Sequence, residues 1–214
     1  MALWSWSGAE WDKALWHKLH RPDRAVLYGC GPSLADADPI EKGAVRFVQN
    51  HAFRKVDPHI WIGMDKPDDF GADLLAVPCR KVFRGNYSME PLAGKLARDF
   101  GDVYFADVAE MPKSQIWFGR GPDIKFLWTK NTMTVALHMI LWMGFREIVF
   151  SGIDLGGHYF DNRELTGAQK AKLDQLFNEE YSFLQWFAET AKANDVRLIN
   201  RSKTSRLADI METV

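Results

Sequence analysis

Residues that can hold an anion follow one of the apolar runs in this 214-residue chain. The stretch "AVLYGCGPSL" passes from apolar residues into Gly29, Cys30, Gly31, Pro32 and Ser33. Two glycines allow a sharp turn, and a proline followed by a serine can begin a helix whose backbone N–H groups face an anion. The stretch therefore predicts a phosphate-binding loop, and a tight turn without a ligand is the alternative. It matches neither the GxGxxG fingerprint of dinucleotide binding nor the Gly-Lys-Ser/Thr ending of a P-loop.

Other apolar runs end in residue types suited to hydrogen bonding or proton transfer. In chain order these residues are Gln49, Asn50 and His51 after "RFV", Asp65 after "WIGM", and Ser151, Asp154, His158 and Tyr159 in "VFSGIDLGGHYF". A histidine titrates near neutral pH, although a single histidine, aspartate or asparagine is also common in turns and caps. Their shared position after apolar runs predicts one common pocket.

The spacing of apolar residues predicts the elements that position these groups. Strands are predicted at 24–30, 44–49, 59–64, 79–84, 102–106, 147–152 and 196–200, with a weaker candidate at 123–128, and helices at 131–143 and 167–193. This alternation favours an α/β fold, a single Rossmann-like domain with a mostly parallel sheet and helices on both faces. In such sheets ligands bind beyond the carboxyl ends of the strands, where the polar residues follow.

Composition narrows the class of protein further. The chain is 47% hydrophobic and 26% charged, which supports one domain spanning residues 1–214. A formal net charge of −1 gives no general attraction to nucleic acid, so we expect a small-molecule partner and no nucleic acid. Two cysteines, Cys30 and Cys79, are too few for a disulfide framework or a zinc site. Since no secretory leader pattern is present, the expected location is cytoplasmic.

The first 20 residues are rich in tryptophan at spacings that fit one helical face. We predict an N-terminal helix at about 1–20 that docks on the domain. The alternative is a peripheral membrane contact, because tryptophan and lysine side chains suit the headgroup layer of a bilayer. A homo-oligomer is compatible with the sequence.

Three stretches resemble successive motifs of a known enzyme family. They are "YGCGPSLADAD", "FVQNHAF" and "NTMTVALHMILWMGFREIVFSGIDLGGHYF". In this order they resemble the G-N-G-P-S-L loop, the C-N-Q-F segment and the T-S-G helix with G-Y-K-E-I-Y-L-S-G-I-D of the bacterial sialyltransferases of glycosyltransferase family 42. The resemblance runs from about residue 24 to 210 and is most specific at 144–154. It implies transfer of a sialic-acid-like sugar from a CMP-type nucleotide donor to a glycan acceptor, with no metal cofactor.

The family motifs imply roles for individual residues of this chain. The resemblance implies that the donor phosphate or ribose is surrounded by Gly29, Gly31, Pro32 and Ser33, and that Asn50 contacts the nucleotide. It implies that Thr132 replaces the motif's serine and that Tyr159 binds the phosphate. Also within the matched motifs, and so implied in donor binding, are Cys30, Ser151 and Asp154. Cys30 stands where the family has asparagine.

The general base requires a separate prediction. The segment after residue 160 contains no histidine, so the lid histidine that serves the family as base has no counterpart here. We predict His158 as the base, because it follows the turn that the resemblance places beside the donor phosphate, with His51 second and Asp65 as the carboxylate candidate. For His138, inside a predicted amphipathic helix, a structural role is expected.

Two further functions are open at this point. The same frame resembles flagellin-glycosylation accessory proteins and archaeal-type hydroxymethylpterin diphosphokinases, which also carry a G-x-G-P-S-L loop and a G-x-D-L stretch followed by a histidine. Diphosphoryl transfer from ATP requires magnesium, for which Asp65 and Asp154 are candidate ligands. An inactive nucleotide-binding module is the third interpretation.

Overall fold

One mostly parallel sheet lies at the centre of the computed structural model, which describes residues 3–4, 23–38, 40–110, 125–156, 159–160, 166–202 and 204–214. The strands of these residues are β1 (Leu3–Trp4), β2 (Arg24–Tyr28), β3 (Val45–Gln49), β4 (Ile60–Gly63), β5 (Arg80–Arg84), β6 (Pro91–Leu92), β7 (Lys95–Leu96), β8 (Val103–Ala106), β9 (Val108–Ala109), β10 (Phe126–Leu127), β11 (Glu147–Ser151), β12 (Arg197–Asn200) and β13 (Glu212–Thr213). The central sheet has the order β1-β8-β5-β4-β3-β2-β11-β12-β13. Among the described strands of this sheet, only β1 and β8 pair in antiparallel fashion, and all other neighbours are parallel.

Two α-helices and a series of short 3-10 helices connect the described strands. The α-helices are α1 (Thr132–Trp142) and α2 (Gly167–Ala193). The 3-10 helices are Pro32–Asp36, Asn50–Arg54, Pro67–Phe70, Ala72–Ala76, Gly85–Tyr87, Ala97–Asp99 and Arg206–Asp209. Both α-helices begin at side-chain caps, since Asn131 accepts from the Met133 N–H and Thr166 forms a capping box with Gln169.

The predicted α/β fold class is confirmed, and so are the main predicted elements. Apart from the weaker candidate, all seven predicted strands and both predicted helices are present. Their ends are shifted by no more than about two residues, within the usual ambiguity of helix and strand ends. The weaker candidate at 123–128 contains only the short strand β10. Helix α1 differs from the amphipathic helix that was expected, because all of its residues are buried.

The two faces of the sheet are covered differently. Alternate residues of β2 show this, because Ala25 and Leu27 belong to the core that contains α1 and α2, whereas Val26 and Tyr28 belong to the opposite core. In the described residues the second face is covered by side chains of 3-10 helices, among them Leu34, Phe53, Phe70 and Leu74. The long helices therefore share one face.

This arrangement creates a crevice between β2 and β11, which are neighbours in the sheet. The connection after β2 packs Leu34 on one face, and the connection after β11 includes α2, which packs on the other face. Where neighbouring parallel strands send their connections to opposite faces, the chain separates at their carboxyl ends and leaves room for a ligand.

The N-terminal prediction needs a correction at two residues. Leu3 and Trp4 form β1 instead of a helix, because their backbone groups pair with Ala106 and Phe105 of β8. The remainder of the helix predicted at about 1–20, and with it the alternative of a peripheral membrane contact, lies outside the described residues. Within the part of the chain that the structure describes, no helix is long and apolar enough to cross a membrane.

Candidate functional site

A cavity of about 740 Å³ lies at the carboxyl edge of the sheet, beside the crevice between β2 and β11. Its walls come from the segments after β2, β3, β4, β10 and β11, from the start of α1 and from the first half of α2. Of the residues predicted from sequence, the cavity brings together Gly29, Cys30, Gly31, Gln49, Asn50, Asp65, Thr132, Asp154 and Tyr159. The prediction of one common pocket thus holds for these residues.

The glycine loop is packed backbone to backbone against the segment after β11. The Gly29 N–H donates to the Ser151 carbonyl at 2.9 Å, and the Gly31 N–H donates to the Gly152 carbonyl at 2.7 Å. A Cβ atom on Gly29 would lie 2.6 Å from the Gly152 carbonyl oxygen. Gly152 itself has a φ of +67°, in the left-handed region that favours glycine. Close approach of two backbones is therefore the reason for these glycines.

Asp154 fastens this loop to the rest of the edge. Its Oδ2 accepts hydrogen bonds from the Ser33 backbone N–H at 3.0 Å and from the Ser33 hydroxyl at 2.9 Å. Its Oδ1 accepts from the Ser202 hydroxyl at 2.6 Å, and the residue is only 7% exposed. Both carboxylate oxygens thus have protein donors.

These contacts correct the expectation of open N–H groups in the loop. Pro32 and Ser33 do begin a 3-10 helix, as predicted. However, the N–H groups of Gly29, Gly31 and Ser33 donate to groups of the protein itself, and Pro32 has none to donate. These three N–H groups are therefore not open to an anion, and positive groups elsewhere on the cavity wall can hold one.

The start of α1 supplies such groups. Lys130 and Asn131 line the cavity directly before the first turn of the helix, and Lys172 of α2 lines it as well. The N-terminus of an 11-residue helix carries a partial positive charge that favours an anion. Lys130 also has a positive φ of 66°, so the chain turns sharply just before the helix begins.

Asn50 and Thr132 join the end of β3 to the first turn of α1. The Thr132 hydroxyl donates to Asn50 Oδ1 at 3.3 Å, across 82 positions of sequence. Asn50 has a φ of 47°, a conformation that asparagine tolerates better than most residues. The indole N–H of Trp61 donates to the Asn50 carbonyl at 2.7 Å and holds this turn in place.

Not every predicted residue reaches the cavity wall. The ring of His51 packs against Phe70, with 5.5 Å between ring centroids, and does not line the cavity. Three further predicted residues do not line the cavity, namely Pro32, Ser33 and Ser151. They still support it, because the Ser151 carbonyl accepts from Gly29 and the N–H and hydroxyl of Ser33 donate to Asp154. His158 lies outside the described residues, so its role as base stays a prediction.

His138 has a structural environment. Its Nδ1 accepts a hydrogen bond from the Leu127 N–H at 2.9 Å, inside the core around α1. Burial lowers the pKa of this imidazole to about 4, so the ring is neutral at physiological pH. The ring therefore joins β10 to α1.

Two carboxyl groups at the cavity have raised pKa values. Burial, followed by the nearby Asp69 carboxylate, raises the pKa of Asp65. Burial, followed by Glu179, raises the pKa of Glu180 to about 8. Sequence reasoning missed Glu180, although one signal was present: it lies on the same helical stripe as Leu173, Leu176, Phe183, Leu184 and Phe187.

Substitution of Gly29 by alanine tests the close packing of the loop. We expect Gly29→Ala to lower the free energy of unfolding by about 2 kcal/mol, because the new methyl group overlaps a backbone carbonyl that cannot move alone. Urea denaturation measures the loss. Gly101→Ala is the matched control, since a Cβ there meets no atom within 4 Å. Equal stability of the two variants would contradict the packing argument.

No protein-family model and no curated protein matches this chain. Among solved structures, the sialyltransferase CstII from Campylobacter jejuni in complex with the substrate analogue CMP-3FNeuAc is 14% identical, over 89% of this chain and 85% of that chain, with a TM-score of 0.46. CstII in complex with cytidine-5'-monophosphate is 16% identical, over 89% and 84%, with a TM-score of 0.47. The monofunctional alpha-2,3-sialyltransferase Cst-I from the same organism is 13% identical, over 89% and 80%, with a TM-score of 0.36. These are distant similarities.

Proposed function

We propose that this protein is a glycosyltransferase that moves a sialic-acid-like sugar from a CMP-type nucleotide donor to a glycan acceptor. One observation carries the proposal: Asn50 and Thr132, both implied in donor binding by the sequence motifs, are hydrogen-bonded to each other at the wall of the same cavity. The 3.3 Å contact joins two motifs that are far apart in sequence. A ligand at this wall would meet both side chains.

The remaining walls suit a leaving phosphate. Tyr159 lines the cavity, and the N–H of the next residue, Phe160, donates to the Cys30 carbonyl at 2.9 Å, which holds this segment beside the glycine loop. In our proposal the Tyr159 hydroxyl, the Lys130 ammonium and the N-terminus of α1 stabilise the charge that develops on the CMP phosphate. Fixed donors and dipoles can do this without a metal ion.

The contacts of Asp154 favour this function over diphosphoryl transfer. A magnesium ion bridging ATP phosphates needs carboxylate oxygens as ligands. The oxygens of Asp154 already accept three hydrogen bonds from serine groups, so a magnesium ion held by Asp65 and Asp154 would have to compete with these bonds.

Calorimetric titration with CMP, UDP, GDP and ATP, each with magnesium and with EDTA, tests the proposal. We expect CMP to bind with an affinity that EDTA does not change. Thr132→Val, which keeps the side-chain volume and removes the hydroxyl, should weaken CMP binding by about tenfold through loss of the contact to Asn50.

The control variant is Thr190→Val, because the Thr190 hydroxyl donates to a carbonyl within α2 and is not part of the cavity wall. Binding of ATP that requires magnesium, together with no binding of CMP, would refute the transferase proposal in favour of the diphosphokinase.

A further inference from the structure

Glu180 occupies the innermost position on the α2 wall of the cavity. Residues of α2 at intervals of three and four line the cavity from the start of the helix, namely Gln169, Lys172, Leu173, Leu176 and Glu180. Glu180 is the first buried residue along the helix, at 6% exposure. The following residues of the same stripe, Phe183, Leu184 and Phe187, belong to the core. The helix thus passes from cavity wall to core at Glu180.

A carboxyl group at this point is an unusual choice for packing alone. The stripe on either side of Glu180 is leucine and phenylalanine, and a leucine in its place would bury apolar surface without cost. Within the described residues, no hydrogen-bond donor and no cation is paired with this carboxyl group, although buried carboxylates are normally paired. Its side chain therefore remains available to a ligand in the cavity.

The charged and titratable groups around Glu180 do not balance the negative charge of its carboxylate. From the helix itself, Glu179 adds a second negative charge that disfavours ionisation of Glu180. The other charged or titratable residues that line the cavity are Cys30, Asp65, Lys130, Asp154, Tyr159 and Lys172. Neither lysine forms an ion pair with Glu180 in the part of the chain described by the structure.

We infer that Glu180, in place of the His158 predicted from sequence, is a catalytic residue that acts as the general base toward the acceptor hydroxyl. This inference rests on the proposed transferase function. The acceptor O–H bond breaks and its proton passes to the Glu180 carboxylate, while the acceptor oxygen forms a bond to the anomeric carbon of the donor sugar. The bond from that carbon to the phosphate oxygen breaks, and CMP leaves with the electron pair. Atoms and charge balance without a further reactant.

The environment of Glu180 suits this role. A general base works best when its pKa lies near the operating pH, because it is then both ionised in part and sufficiently basic. Burial, assisted by Glu179, moves the pKa of Glu180 from 4.5 to about 8, so its carboxylate is a much stronger base than that of an exposed glutamate. Enzymes commonly tune catalytic carboxyl groups in this way.

Hydrolysis of CMP-N-acetylneuraminic acid, with water as acceptor, provides the assay. We expect Glu180→Gln to lower kcat by about a hundredfold to ten-thousandfold, with KM and the Kd for CMP nearly unchanged, because the loss is confined to proton transfer. The rise of kcat with pH toward pH 8 should disappear in this variant. Asp174→Asn, an exposed carboxyl on α2 outside the cavity wall, should behave as the wild type.

Two further measurements separate catalysis from a structural role. Added formate should restore part of the turnover of Glu180→Ala, since a small carboxylate can occupy the vacated space, and a structural residue would show no such rescue. Carbon-13 NMR should show the Glu180 carboxyl titrating near pH 8 in the wild type. If Glu180→Gln hydrolyses the donor at the wild-type rate, the inference is refuted while the transferase function stands. If the wild type neither binds CMP nor hydrolyses the donor, the transferase function itself is refuted.

Discussion

Replacement of Asp154 by alanine is expected to lower the free energy of unfolding by about 4 kcal/mol, because it removes three hydrogen bonds to a buried carboxylate. The Ser33 N–H and the Ser202 hydroxyl would lose their acceptor in a place that water reaches poorly. The glycine loop, the segment after β11 and the residues after β12 would lose their common attachment. CMP binding should weaken with the loop, since the loop forms part of the cavity wall.

Urea denaturation of three variants checks this expectation. Asp154→Asn should lose less stability than Asp154→Ala, because the amide oxygen can still accept one of the serine bonds. Asp174→Ala, at an exposed position of α2, should change the free energy of unfolding by less than about 0.5 kcal/mol. An Asp154→Ala variant as stable as Asp174→Ala would mean that the carboxylate does not hold the loop.

Glu180→Gln is expected to make the protein more stable than the wild type at pH 8.5, by an amount on the order of 4 kcal/mol. The pKa of Glu180 is about 8 in the folded protein and 4.5 in its ordinary state, which represents the unfolded chain. Between these two values the folded protein keeps a proton that the unfolded chain has lost. The stability from this group is therefore fully present below about pH 4.5 and is lost as pH rises to about 8.

A neutral glutamine cannot ionise, so the stability of the variant should lack this decline. Thermal and urea unfolding at intervals from pH 5 to pH 8.5 would show the two curves separating as pH rises. Glu189→Gln is the matched control, because Glu189 lies on the exposed side of the same helix. Parallel curves for wild type and Glu180→Gln would show that Glu180 is ionised at neutral pH, and would also remove support from its role as a tuned base.

Local chemistry in the sequence determines the regular elements of this protein. The strands β2, β4 and β11 are buried on both faces and contain runs of three or more apolar residues, so each can be predicted without tertiary information. The starts of α1 and α2 are encoded locally, because the side chains of Asn131 and Thr166 accept hydrogen bonds from backbone N–H groups in the first turn of each helix. The carboxyl-edge location of Asn50, Asp65 and Asp154 follows from the parallel sheet that these elements form.

Short elements and individual contacts depend on residues that are distant in sequence. β1 is two residues long and exists because an edge strand, β8, offers backbone groups to pair with. Asp154 finds its donors at Ser33 and Ser202, which lie 121 and 48 positions away. For that reason the loop, which the sequence predicts as an open anion-binding site, donates the N–H and hydroxyl of Ser33 to the carboxylate of Asp154. Glu180 has the same side chain as any surface glutamate of α2, and only the packing of that helix against the cavity and the core takes it out of water and makes its carboxyl group basic.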